Sequence, residues 1–92
     1  VPVRDILAIR AIVCQPQYAW PCEEALAIVY CESSGDSNAI GEEVIDGVTY
    51  RFYGWWQVWN GPLDPDLNTA EAHIQYVQWQ AGERGDPWPN CP

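Results

Sequence analysis

The sequence predicts a mainly α domain of the α+β class: a central buried helix ending in a glutamate, a short β-hairpin, flanking helices and two disulfides. Three observations predict it. Residues 22–33, "CEEALAIVYCES", are apolar nearly all round from Ala25 to Cys31, the pattern of an enclosed helix. "VIDGVTY" sets Asp46-Gly47 between β-branched residues, a strong hairpin signal. Four cysteines in 92 residues, with no Met, fit a small domain whose core needs covalent staples.

The elements follow in chain order, and no repeat, low-complexity tract or linker divides them, so residues 1–92 read as one domain. Residues 4–14, "RDILAIRAIVC", place Ile6, Ile9 and Val13 on one face with Asp5 in the first turn, as an amphipathic helix does. "QPQYAWP" ends it. Pro21 suits the start of the second helix, where Glu23 and Glu24 face the positive end of the helix dipole. Residues 34–53 read as a loop and the hairpin. A third helix is expected from near Asn68 to near Gly82, with Glu71 completing a capping box and Ala70, Ile74, Val77 and Ala81 forming its apolar stripe. The tail "DPWPNCP" is proline-locked coil.

Four cysteines allow three pairings. On one helix, Cys22 and Cys31 would stand about 13 Å apart between Cα atoms, beyond the ~7 Å limit for a bridge. Of the two pairings left, Cys14–Cys22 with Cys31–Cys91 is the simpler, since the first joins two helix ends across a short turn. Cys14–Cys31 with Cys22–Cys91 is the other.

Thirteen acids against four arginines give a net charge of -9, a field that repels nucleic acid and anionic membrane surfaces. No segment reaches the ~20 apolar residues that span a bilayer, so membrane insertion is not expected. The cysteines, together with a start that lacks Met, lead us to expect a secreted or extracytoplasmic domain, mature or excised from a longer chain.

Glu32 is the candidate catalytic residue. It follows Cys31 at the C-terminal end of the second helix, where the helix dipole disfavours a carboxylate and raises its pKa. Cover by the tryptophans of "GWWQVW" would act in the same direction, and a carboxyl kept protonated is what general-acid cleavage of a glycosidic bond needs. The simpler reading of a glutamate at a helix end is a solvated surface residue. Tyr53, Trp55, Trp56 and Trp59 put four large rings within seven residues, more than so small a domain easily buries, so part of this set is expected to line a sugar-binding cleft.

The order "CEEALAIVYCESSGDSNAIG", "YGWWQVW", "GPLDPDLNTAEAHIQYVQWQAG" and "PWPNC" resembles the lysozyme-like domains of the lytic transglycosylase and goose-type lysozyme group over residues 20–92. The resemblance implies a lysozyme-like fold and cleavage of the β-1,4 bond between N-acetylmuramic acid and N-acetylglucosamine, with peptidoglycan glycan strands as the partner. It assigns the catalytic acid to Glu32, support of the site to Ser33, the cleft wall to Gly54, Trp55, Trp56, Gln57 and Val58, and a further inward-pointing side chain to Tyr76. It implies an enzyme that works with one glutamate and no cofactor, because the N-acetyl or 6-hydroxyl group of the substrate completes the reaction. Two departures stand out: residues 40–52 are longer and more acidic than the compact pattern, and Thr69 replaces an apolar residue.

If a second carboxylate assists, Asp46 is the candidate, although an Asp-Gly turn explains it more simply. His73 is the only histidine, and with no ligand set beside it a structural or solvated role is expected and no metal site. Ser33 and Ser34 have no nearby base, and the acids from Asp36 to Asp46 do not have EF-hand spacing. A monomer is expected. The alternative reading is a module on the same scaffold that binds peptidoglycan or chitooligosaccharide without cutting it.

Overall fold

Three helices and a three-stranded antiparallel sheet make up the computed structural model, which describes residues 5–91. Arg4, expected to begin the first helix, lies outside the described residues. Helix α1 spans Ile6–Val13, capped by Asp5, whose carboxylate accepts from the amides of Leu7 (2.8 Å) and Ala8 (3.4 Å). Ile9 and Val13 are buried, while Ile6 faces outward. Helix α2 spans Cys22–Ser33, and strands β1 (Ile40–Ile45) and β2 (Val48–Tyr53) form the hairpin. Asp46 and Gly47 both have positive φ, 51° and 80°, the backbone of a type I′ turn, which is why an Asp-Gly pair occupies it. A two-residue strand β3 (Val58–Trp59) pairs with the end of β2.

Helix α3 spans Pro65–Gln80 and begins earlier than the capping-box reading. Asp64 caps it, accepting from the amides of Asp66 (3.0 Å) and Leu67 (3.1 Å), and Pro65 takes the first helical position, where its missing N–H costs nothing. The expected stripe is also displaced, for Ile74 and Val77 are 51% and 47% exposed. The buried side instead carries Asn68, Thr69 and Ala72, with His73 and Tyr76 beside them, because the partners of this helix are indole rings that pack and hydrogen-bond at once.

Both disulfides are Cys14–Cys22 and Cys31–Cys91, with Cα separations of 5.2 and 5.8 Å. The mainly α, lysozyme-like arrangement around an enclosed central helix does not hold. Helix α2 buries one face only, Ala25, Leu26, Val29 and Ser33, while Glu23, Glu24, Ala27 and Cys31 are exposed, and it runs one residue past Glu32. Alanine and cysteine count as apolar in a sequence pattern but face water at little cost, and a chain this short lacks the material to surround a helix. The sheet, expected as a bare hairpin, has three strands.

The core is built on tryptophan. Trp20 stacks on Trp56 at 4.5 Å between ring centroids, and Trp56 meets Trp88 at 5.0 Å. Each buried indole N–H is satisfied: Trp20 donates to Val13 O (2.8 Å), Trp55 to Gly35 O (3.0 Å), Trp56 to Thr69 Oγ1 (3.2 Å) and Trp88 to Trp56 O (2.9 Å). Thr69 is polar because it accepts from an indole in the core. Asn68, fully buried, ties strand to helix: its Nδ2 donates to Tyr53 O (2.7 Å) and Pro62 O (2.9 Å), and its Oδ1 accepts from Trp56 N (3.0 Å). Gly54, at φ 78°, leaves the room that Asn68 occupies.

Candidate active site

Glu32 stands in the last turn of α2 on the wall of a cleft of about 400 Å³. The turn ends in left-handed backbone at Ser34 (φ 55°) and Gly35 (φ 75°), where any Cβ on Gly35 would press on Tyr30 and Ile9. Asp36 then winds the loop, its carboxylate accepting from Asn38 N (2.9 Å). The chain thus returns at Ala39 to start β1 alongside the glutamate. Ala39 O receives the amides of Gly54 (2.8 Å) and the Gln57 side chain (3.2 Å), which also donates to Gly54 O (2.9 Å). Gln57 is thereby fixed with its carbonyl oxygen over Gly41, a position that any side chain there would block.

Gln57, Gly41 and Phe52 line the cleft on the sheet side, with Glu42 and Glu43 above them, and Pro87, Pro89 and Asn90 of the tail close the other side. Burial raises the pKa of Glu32, and the nearby charge of Asp86 raises it further. The tail is held there by Cys31–Cys91 and by the Asp86 carboxylate, which accepts from Trp88 N (2.8 Å). Glu42 is engaged with Arg51 at 2.8 Å. A half-buried acid of raised proton affinity, two amide side chains and an aromatic ring form a set able to hold a polar ring and give it a proton.

No family model, curated protein or solved structure matches the chain. The site is therefore read from its own geometry.

Of the residues singled out from sequence, Gln57 joins Glu32 in the cleft and Gly54 supports it by accepting from Gln57. Ser33 is buried with its hydroxyl on Val29 O (2.9 Å), so it fastens the helix end. Trp55 and Trp56 are fully buried. Tyr53 lies on the sheet face opposite Phe52, since neighbouring strand residues point to opposite sides. Trp59 is 60% exposed, pairs across the sheet with Phe52 and has its ring 5.9 Å from that of Tyr50, extending an aromatic surface outward from the cleft. Tyr76 lies in a different cleft, with Trp20 and Trp79. Asp46 occupies the exposed hairpin tip, five residues and about 17 Å of strand from Gly41, too far to share work with Glu32.

The sequence reading missed Phe52, Asp86 and Asn90, and among the acids downstream of Glu32 it preferred Asp46 to Glu43. Hairpin register gives a signal for Phe52 and for the choice of Glu43, because the Asp46-Gly47 turn pairs Gly41 with Phe52 and places Glu43 on their face. Nothing local signals the tail residues; they arrive through the Cys31–Cys91 bridge. His73 is structural: its Nε2 accepts from Ala19 N (2.9 Å) amid Tyr18, Trp20 and Tyr76. Among the described residues, no group of three His, Cys, Asp or Glu could hold a metal ion.

Proposed function

We propose that the protein cleaves peptidoglycan glycan strands at the β-1,4 bond between N-acetylmuramic acid and N-acetylglucosamine, with Glu32 as general acid and then general base. The observation that carries this reading is the protonation bias of Glu32 in a cleft shared with the amides of Gln57 and Asn90, the ring of Phe52, two prolines and the carboxylates of Glu42 and Glu43. The sequence resemblance to lytic transglycosylases and goose-type lysozymes supports the same chemistry. Glu32 gives its proton to the leaving glycosidic oxygen as the bond from that oxygen to the anomeric carbon breaks and positive charge develops on the sugar. The resulting carboxylate then takes a proton from water, giving hydrolysis, or from the 6-hydroxyl of the same sugar, giving a 1,6-anhydro end. Gln57 and Asn90 would orient the sugar by hydrogen bonds, and Phe52, Tyr50 and Trp59 would offer ring faces to units further along the strand.

Glu32→Gln keeps the shape and removes the proton. Wall lysis by the variant should fall by about 10²- to 10⁴-fold with thermal unfolding retained, measured as turbidity loss of purified peptidoglycan. Undiminished lysis would exclude Glu32. The mass of the released fragments separates the outcomes, the anhydro product being lighter by one water. Saturable glycan binding by wild type without any cleavage would instead favour a binding module, for which the exposed Trp59 platform is the suited surface.

A further inference from the structure

The C-terminal strap from Asp86 to Cys91 separates two clefts. Pro87, Pro89 and Asn90 face the Glu32 cleft, whereas Asp86, Trp88 and Cys91 face a second and larger one of about 530 Å³, between α2 and α3. The walls of this second cleft are aromatic and aliphatic: Tyr76 and Trp79 from α3, their rings 6.0 Å apart and edge to face, with Trp88 beneath and Ile28 of α2 opposite. Its rim is acidic. Glu23 is turned to Arg10 at 2.9 Å, but Glu24 and Asp86 have no cationic partner among the described residues. Trp79 and Tyr76 are only half-buried, so ring surface is open to a guest.

We propose that this second cleft binds an aliphatic ammonium group, as carried by the amine-bearing side chains of the peptide stems attached to peptidoglycan. An apolar stem would lie on Ile28 and the indole faces. Its ammonium would sit against the Trp79 and Tyr76 rings within reach of Glu24 and Asp86, combining a cation–π contact with charge pairing. The net charge of -9 draws cations and repels carboxylate-tipped guests. The placement also fits a branched polymer: glycan in the Glu32 cleft, the stem crossing the narrow strap, and its amine in the second cleft. Assignment of the amine to a wall stem rests on the function proposed above; the ammonium site itself does not.

The test uses the intact protein and soluble probes. N-acetyl-lysine methylamide should shift the indole N–H resonances of Trp79 and Trp88 saturably, and N-acetyl-norleucine methylamide, with the same stem but no charge, should bind about tenfold more weakly. Glu24→Gln with Asp86→Asn should shrink that preference severalfold, leaving only the ring contact, and Trp79→Leu should weaken the lysine probe more than the norleucine probe. The Asn still caps Trp88 N, so the first variant keeps the fold. Equal affinity for the two probes, no saturable shift, or a preference left undiminished by the double substitution would overturn the site. Glu32→Gln should bind the lysine probe like wild type, so a failed glycosidase reading and a failed ammonium site give different results. Soluble wall fragments with acetylated amines should bind about tenfold more weakly than free-amine fragments, and equal binding would overturn the stem assignment.

Discussion

At the scale of single residues, the protonation of Glu32 is set by where its carboxyl sits more than by its place on the helix. The sequence points to the helix terminus, reinforced by cover from the tryptophans of "GWWQVW", whereas in the folded chain burial comes first and Asp86 second, and the cleft lining is Phe52, Gln57 and the tail rather than tryptophan. Because the folded state favours the neutral acid, its contribution to stability is present below the unfolded value near 4.5 and is lost as pH rises through the higher folded value. Asp86→Asn removes the second cause only. Glu32 should then titrate at lower pH, still above its ordinary value, and the alkaline limb of lysis should move with it; carboxyl carbon NMR measures the first, and an unmoved titration would mean that Asp86 is not felt. His73 works in the other direction. Burial lowers its pKa from 6.5, and its neutral Nε2 accepts the Ala19 amide. The unfolded chain therefore binds more protons, and stability held above pH 6.5 should decline as pH falls below it. Urea unfolding at neutral and mildly acid pH should show that decline in wild type and a flatter response in His73→Gln; equal slopes would remove His73 from the account.

At the scale of elements, the joint between the sheet and α3 is polar. Asn68→Ala would leave Trp56 N–H and two carbonyls without their partners inside the protein, and should cost about 3–5 kcal/mol in urea unfolding. A loss below ~1 kcal/mol would mean that water replaces the amide. This joint explains what was legible in the sequence and what was not. The hairpin could be read because Asp46-Gly47 encodes its own turn, and α1 because Asp5, Ile9 and Val13 follow helical spacing. The buried face of α3 could not, because Asn68, Thr69 and His73 count as polar in any periodic pattern while their partners, Trp56 and Trp20, come from distant segments. The same limit applies to the cleft. Glu32 and Gln57 sit in local turns that their own residues specify, whereas Asp86 and Asn90 are brought there by a bridge that closes 60 residues. β1 is the open edge of the sheet, and Glu42 and Glu43 at its middle oppose pairing with a second copy by like charge.

At the scale of the whole molecule, two disulfides fit an oxidising, extracytoplasmic setting, and no helix among the described residues is long and apolar enough to cross a membrane. The two bridges do different work. Cys14–Cys22 spans 8 residues and joins α1 to α2, elements already adjacent in the chain, while Cys31–Cys91 spans 60 and holds the strap that forms one wall of each cleft. On chain entropy alone, removing the first should cost about 2.5 kcal/mol and the second about 4. Function should divide more sharply. Cys14→Ser with Cys22→Ser leaves the strap anchored, so at a temperature where the variant is folded its lysis should stay within about threefold of wild type, a change of under 1 kcal/mol in the barrier. Cys31→Ser with Cys91→Ser releases Pro87, Pro89 and Asn90 from the Glu32 cleft and Asp86 from the ammonium cleft. Lysis and lysine-probe binding should then fall together even where circular dichroism shows the helices intact. A Cys31/Cys91 variant that keeps its secondary structure and full activity would show that the strap shapes neither cleft.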